Sequence, residues 1–298
     1  MGLTMAAGAP ARTPTHQAVD ARDWSFGGTW PYEPRWLFTD GVRLHYVDEG
    51  PRDGEPVVLL HGSPTWSYLY RRYLGGLAEA GFRGVALDQL GFGRSDKAQR
   101  RKEYSLERHG RHLAALADEL ELDGVTLVVH DWGGPIGLSW AAAYPERVRR
   151  LVVLNTFSQE APGARGPFRW PLTRELLVKG AHFYVRGFLF RGGLRRPEQL
   201  GETERAAYLA PHGSWPSRTG ILAATRFRAA LPDLAPLAGK PVLYVWGMRD
   251  RALGEAALRR WQERLPGEAV ELEDSASFVP EDAPEESLAA VVDFLRRT

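Results

Sequence analysis

The chain has 298 residues, 44% of them hydrophobic, enough for one large core with room for an inserted subdomain. A formal net charge of +1 leaves no basic footprint for nucleic acid, no window is apolar for the length a bilayer requires, and the lack of cysteine removes disulfide frameworks and thiolate chemistry. Residues 1–21, rich in Gly, Ala, Pro and Thr, read as a loose tail, and Met1 to Gln17 lack the apolar centre of a secretory signal, so the sequence predicts a soluble, cytoplasmic protein with no membrane partner.

From Trp36 to Asp48 two short β-like runs flank Asp40-Gly41, a dipeptide suited to a tight hairpin turn. Pro56 to Leu60 is the next strand and leads into His61-Gly62-Ser63-Pro64, where a glycine after a strand end lets the backbone N–H of Ser63 face a pocket. A helix-leading loop with His61 structural and Trp66 in the core explains the same residues. Gly84 to Leu87 is a strand ending in the Gly-punctuated loop Asp88 to Lys97, before a helix from about Ser105 to Leu120. The loop lacks the glycine spacing and the Lys-Ser/Thr pair of a nucleotide fingerprint.

Val125 to Val129 reads as a strand buried on both faces, followed by His130-Asp131-Trp132-Gly133-Gly134-Pro135 and a helix to about Tyr144. The glycines permit a tight exit and Pro135 suits a first helical turn. Asp131 therefore sits at the apex of a strand-turn-helix, where hydrolases built on a mixed sheet present their nucleophile. A carboxylate there attacks carbon and forms an ester, which suits alkyl halides or epoxides rather than peptides. Simple helix N-capping by Asp131 is the competing explanation. The backbone N–H groups of Ser63 and Trp132 would make an oxyanion hole, and the Trp132 indole, a donor without acceptor, can hold a departing halide.

The strand Val148 to Leu154 completes a series of strand-helix units, predicting an α/β architecture with a mostly parallel sheet. Helix-like pieces then follow, at Leu172 to Phe190, Glu202 to Leu209 and Arg218 to Ala230. We read 156–231 as a helical cap inserted in a core formed by 22–155 and 232–298. The cap carries twelve Lys and Arg against five Asp and Glu, a surplus of +7 that leaves −6 for the rest. A solvated, arginine-rich face accounts for that surplus. Strands resume at Pro241 to Gly247 and Ala269 to Leu272, with a final helix from Pro284. Asp250 follows a strand end, where an acid orients a catalytic imidazole. The loop after the last strand, Glu273 to Pro280, holds no histidine.

Together these segments resemble the haloalkane dehalogenases of the α/β-hydrolase fold, in particular the branch whose acid follows the seventh strand. The motifs are Ser-Pro-Thr-Trp-Ser-Tyr-Leu-Tyr-Arg (63 to 71), Leu-Gly-Phe-Gly-Arg-Ser-Asp-Lys (90 to 97) and Val-Val-His-Asp-Trp-Gly-Gly (128 to 134). The resemblance implies Asp131 as nucleophile, Asp250 as acid, Ser63 and Trp132 as the oxyanion hole, and Trp132 as halide donor. It also implies a small apolar halogenated substrate, a released halide ion, no cofactor and no metal.

Two departures stand out. Ser63 occupies a position where the family usually has Asn or Glu, so a second halide donor must come from the cap, with Trp170 the candidate. Ser277 stands where the family places its base, and none of the eight histidines lies beyond His212. Formation of an alkyl-enzyme ester is then expected, and its hydrolysis is expected to be slow. The alternatives are epoxide opening, for which Tyr184 or Tyr208 would have to face Asp131, and a catalytically impaired small-molecule binder.

Overall fold

Two positive backbone angles, φ 51° at Asp40 and 73° at Gly41, make the mirror-image turn that matches the twist of its flanking strands, β2 (Arg35–Thr39) and β3 (Val42–Glu49). The computed structural model describes residues 16–17, 23–157, 171–180, 183–227 and 232–298. Before the hairpin lies β1 (His16–Gln17), and after it come β4 (Pro56–Leu60), α1 (Arg71–Glu79), β5 (Arg83–Leu87) and β6 (Lys97–Ala98). α2 (Leu106–Glu119) starts at Ser105, whose hydroxyl accepts the Arg108 N–H. β7 (Val125–His130), α3 (Gly133–Ala143) and β8 (Val148–Leu154) follow. Among the described residues the next stretch is helical, with α4 (Pro171–Lys179), α5 (Phe183–Gly187), a π-helical turn at Phe188–Gly193, α6 (Glu202–Leu209) and α7 (Thr219–Ala224). The chain closes with β9 (Val242–Gly247), α8 (Glu255–Arg264), β10 (Glu268–Leu272), α9 (Val279–Asp282) and α10 (Pro284–Arg297).

Eight strands form one sheet in the order β10-β9-β8-β7-β4-β5-β3-β2, parallel throughout except where β3 pairs with β5 and β2 with β3. The chain runs outward from β4 to β5 in one direction and returns to place β7 on the other side. That reversal lies between β4 and β7, and a crevice beyond the carboxyl ends of such strands is where open α/β sheets bind ligands.

Strand alternation divides the core into two layers. Val57, Leu59, Val128 and Val152 face one side and pack against α1 and α10, while Val58, Leu60, Leu127, Val129 and Val153 face the other and pack against α2, α3 and α8. A period of two along strands buried on both faces gives near-continuous apolar runs, which is why the sequence reading placed these strands to within a residue.

Three expectations need correction. His16–Gln17, assigned to a loose tail, pairs antiparallel with Lys97–Ala98; the remaining tail residues lie outside the described ones. The single helix expected over Leu172 to Phe190 is two, with Gly180 ending α4 through a hydrogen bond to Leu176 O at 2.8 Å. The helix expected from Arg218 to Ala230 runs only from Thr219 to Ala224, after a 3-10 turn at Pro216–Arg218, and its last expected residues, 228–230, lie outside the described ones.

A buried polar network ties the helical stretch to the core. The Arg71 guanidinium makes a two-pronged pair with the Glu281 carboxylate, and the Tyr208 hydroxyl on α6 donates to the same carboxylate. All three side chains are buried. Glu281→Ala is expected to lower unfolding free energy by about 3–5 kcal/mol, because it strands a buried guanidinium, whereas Tyr208→Phe should lower it by about 1 kcal/mol. Urea denaturation of the two variants checks both, and a Glu281→Ala protein as stable as the parent would show that this network contributes nothing.

Candidate active site

β4 and β7 end side by side, and each turn that follows depends on glycine. A side chain at Gly62 would overlap the Asp131 carboxylate, and one at Gly133 would overlap the Leu60 carbonyl. At the apex Asp131 adopts φ 48°, a conformation non-glycine residues rarely take and a frequent signature of functional turns. The surroundings hold it there. Its N–H donates to Asn155 O at 3.1 Å, and its carbonyl accepts from Gly134 N–H at 3.0 Å and from the Thr156 hydroxyl.

The Asp131 carboxylate is buried and accepts the Ser63 N–H at 2.8 Å and the backbone N–H of Trp132. The two amides expected to form an oxyanion hole thus converge on this carboxylate. Trp132, not Asp131, is the residue flanking α3, and Asp131 makes no side-chain cap to the helix, so the capping explanation fails. Burial pushes the Asp131 carboxyl up to about 7, against the two amides that favour its anion, and the negative charge of Asp250 adds to the rise.

Trp132, next to Asp131, belongs to an aromatic cluster. The Trp132 ring packs against Phe157, with centroids 4.9 Å apart, and Phe227 at 5.2 Å. Tyr70 lies beneath, donating to Leu60 O at 2.9 Å. Of the two phenols considered for ring-oxygen protonation, Tyr208 is committed to Glu281. Tyr184 lies near enough to Asp131 for that carboxylate, after burial, to help hold its phenol above the usual range. Trp170 falls outside the described residues.

Asp250 follows β9, and its carboxylate accepts the Ala252 and Leu253 N–H groups at 2.8 and 2.9 Å and the Asn155 side-chain amide at 3.2 Å. Asn155 also binds Gly247 through both its side-chain atoms, at 2.7 and 3.1 Å. Through its carbonyl and its amide it links the Asp131 turn to the acid. The sequence reading missed it, although a polar residue closing the apolar run Val148 to Leu154 was the available signal.

Ser277 is buried in the loop after β10. Its carbonyl accepts a hydrogen bond from His130 Nε2 at 2.8 Å, and the His130 ring packs on Phe278. Asp282 grips the same loop, accepting Ala276 N–H and the Arg195 and Arg196 N–H groups of the helical stretch, and Phe278 N–H donates to Gly193 O. Neither nearby histidine is placed as a free base. Burial holds the His130 ring down to about 4, against the Ser277 carbonyl and Asp250. His61 donates from Nδ1 to Gly62 O at 2.8 Å and accepts the Gln89 N–H on Nε2 at 3.0 Å, and burial also lowers its pKa.

In the glycine-punctuated loop after β5 the Arg94 N–H turns inward to Asp88 at 2.8 Å, and the same carboxylate takes the Ser67 N–H at 2.8 Å and the His45 ring.

A strand-elbow-helix at the switch point of a mostly parallel sheet, with an acid at the next strand end but one, defines an α/β hydrolase. Residues 55–217 match the family model described as alpha/beta hydrolase fold. The chain is 34% identical over 293 residues to a cis-3-alkyl-4-alkyloxetan-2-one decarboxylase of Shewanella oneidensis, covering 90% of each, and 36% identical over 269 residues to a haloalkane dehalogenase of Mycobacterium marinum, covering 85% of this chain and 89% of that one. The haloalkane dehalogenase structure from Paraglaciecola agarilytica superposes with a TM-score of 0.77 at 27% identity, covering 95% of this chain and 97% of that one. The chain belongs to the haloalkane dehalogenase family of the α/β-hydrolase fold.

One consequence of the buried carboxylate concerns stability. A free aspartate titrates near 3.8 and Asp131 in the fold at about 7, so folding takes up a proton between these values. The residue costs nothing below about pH 4, destabilises progressively as pH rises, and costs most above about pH 7. Asp131→Asn is therefore expected to raise Tm at about pH 8, by the equivalent of a few kcal/mol at most, with the gain vanishing near pH 4. Thermal melts across that range check the sign.

Proposed function

We propose that Asp131 attacks an sp3 carbon of a small apolar alkyl halide, expelling halide toward the Trp132 indole and forming an alkyl-enzyme ester, with Trp170 the candidate second halide donor. The observation that carries this reading is the Asp131 carboxylate itself, buried and raised on a positive-φ turn between two amides. Positioning accounts for much of the rate in such displacements, and burial leaves the anion poorly solvated. The two amides then face the ester as an oxyanion hole, and Asp250 stands ready to orient an imidazole.

No imidazole stands at Ser277. A serine hydroxyl is not basic near neutral pH, and general-base assistance is typically worth about a hundred- to ten-thousand-fold, so the ester is long-lived and the protein alkylates itself faster than it releases alcohol. Halide attack on the ester reverses the first step, which makes halide exchange the faster multiple-turnover reaction.

The same missing base favours a second reading, in which the substrate is an oxetan-2-one, the substrate class in the name of the Shewanella relative. Attack of the Asp131 oxygen on ring C4 breaks the C4–O bond and leaves a free carboxylate on C3. Loss of that carboxylate as carbon dioxide sends its electron pair into a C3–C4 double bond and expels Asp131 as its anion. The sum is lactone to alkene plus carbon dioxide, with Asp131 regenerated and no water consumed. Epoxide opening keeps Tyr184 as its phenol, since Tyr208 is held by Glu281.

Intact-protein mass spectrometry after incubation with 1,2-dibromoethane or 1-bromobutane is expected to show one alkyl group added to the parent and none to Asp131→Asn. Only the anion attacks, so the alkylation rate should be half-maximal near pH 7 and fall about tenfold per unit below it, given a carboxyl held at about 7. A parent that releases alcohol rapidly without a detectable adduct would overturn the stalled-ester reading. Ser277→His is expected to accelerate alcohol release by about a hundredfold or more. It should leave decarboxylation of a cis-3,4-dialkyloxetan-2-one unaccelerated, and this separates the hydrolytic from the water-independent chemistry.

A further inference from the structure

Four cations of the helical stretch, Arg174, Lys179, Arg218 and Arg226, lie near one another and near Arg101 of the core. Five large apolar side chains are exposed among the described residues, and three of them lie together: Leu172 and Leu176, one turn apart on α4 and 73% and 54% exposed, and Trp215, 42% exposed. Lys179, the next residue on that stripe, places its ammonium 5.6 Å from the centre of the Trp215 ring and so joins the helix to the indole. Isolated exposed leucines need no explanation, but a contiguous apolar stripe does.

Cations surround it. Arg101 reaches Glu175 of α4 at 3.6 Å and is one of the exposed run Arg100, Arg101 and Lys102. The Arg174 guanidinium is held below its usual range, by burial first and then by the charges of Arg226 and Arg101, so each of these two lies within electrostatic reach of it. Arg101 and Arg218 act in the same way on Lys179. Glu175 is the only acid on α4, and it is already shared between Arg101 and Lys179 at 3.6 and 3.7 Å.

We propose that this face docks the protein on an anionic lipid surface, with Leu172, Leu176 and Trp215 seated among the headgroups and the exposed cations Arg100, Arg101, Lys102 and Arg226 on the phosphates. An apolar stripe with an indole at its border and a cationic rim matches a bilayer interface in both chemistry and charge. The attachment is peripheral, since no helix among the described residues is long and apolar enough to cross a membrane. It does not depend on the reaction assigned above.

Flotation of the full chain with vesicles of phosphatidylcholine, or of phosphatidylcholine with about one third phosphatidylglycerol, tests the assignment. The anionic vesicles should bind at least about tenfold more tightly, and the difference should disappear at about 1 M NaCl, where charges are screened beyond about 3 Å. Leu172→Ser/Leu176→Ser and, separately, Arg100→Gln/Lys102→Gln should each cost about tenfold, while Phe38→Ser, on an exposed residue of β2, should change nothing. Circular dichroism and the alkylation assay with 1-bromobutane confirm that each variant is folded. Equal binding to both vesicle types, no binding to either, or unchanged binding in the leucine variant would overturn the proposal. So would sedimentation showing that the parent self-associates and the leucine variant does not, which would make the stripe a contact between copies of this chain.

Discussion

Everything around β4 and β7 answers to one requirement, that a carboxylate be kept out of water yet remain available as an anion. Asp131 is buried, and among the described residues two backbone amides, from Ser63 and Trp132, compensate its charge. Burial wins, which is why the group titrates near neutrality rather than near 4. The glycines at 62 and 133 exist on this account to let two strand ends approach within hydrogen-bond range of one side chain, and the positive φ of Asp131 is held by Asn155, Thr156 and Gly134 rather than by its own preference. Strain at one residue is tolerable when several neighbours over-determine it.

The same neighbours reveal an asymmetry in the site. On the proposed reading Asp131 serves attack on carbon, and Asp250, which would steady an imidazole, is fastened by two backbone amides and by Asn155. The loop that would carry the imidazole is equally well built, gripped by Asp282, by Gly193 and by the His130 ring. It carries Ser277. A loop this firmly positioned favours chemistry that turns over without a base, or stalls, over a site that has lost its shape.

The helical stretch has two distinct faces. Inward, Tyr208 joins Arg71 and Glu281 in a buried ion pair that fixes α6 to the core, and Phe227 closes on Trp132. Such a network specifies position at a desolvation cost, and it withdraws one phenol from the candidate site. Outward, α4 presents leucines and cations. Arg174 and Arg226, two of the cations behind the +7 surplus, gain a specific reading once they are seen beside Arg101 of the core and an apolar stripe.

Strands such as Val125–His130 and Val148–Leu154, the Asp40-Gly41 hairpin and the elbow at Asp131 were legible in the sequence, because each depends on local patterns: continuous apolar runs, turn residues and a short motif. The length of α4, the end of α7 and the pairing of His16–Gln17 with Lys97–Ala98 were not, since tertiary contacts rather than periodicity end or recruit those segments. By itself the sequence determined the fold class and which residue types meet at the elbow, since hydrophobic period and backbone permissiveness are properties of neighbouring residues. Only the tertiary structure decided that Asn155 links the turn to Asp250, that Tyr208 belongs to Glu281, that both nearby histidines are already committed, and that Asp131 titrates near 7. Hydrogen-bond partners and desolvation are set by groups far apart along the chain, and no local pattern encodes them.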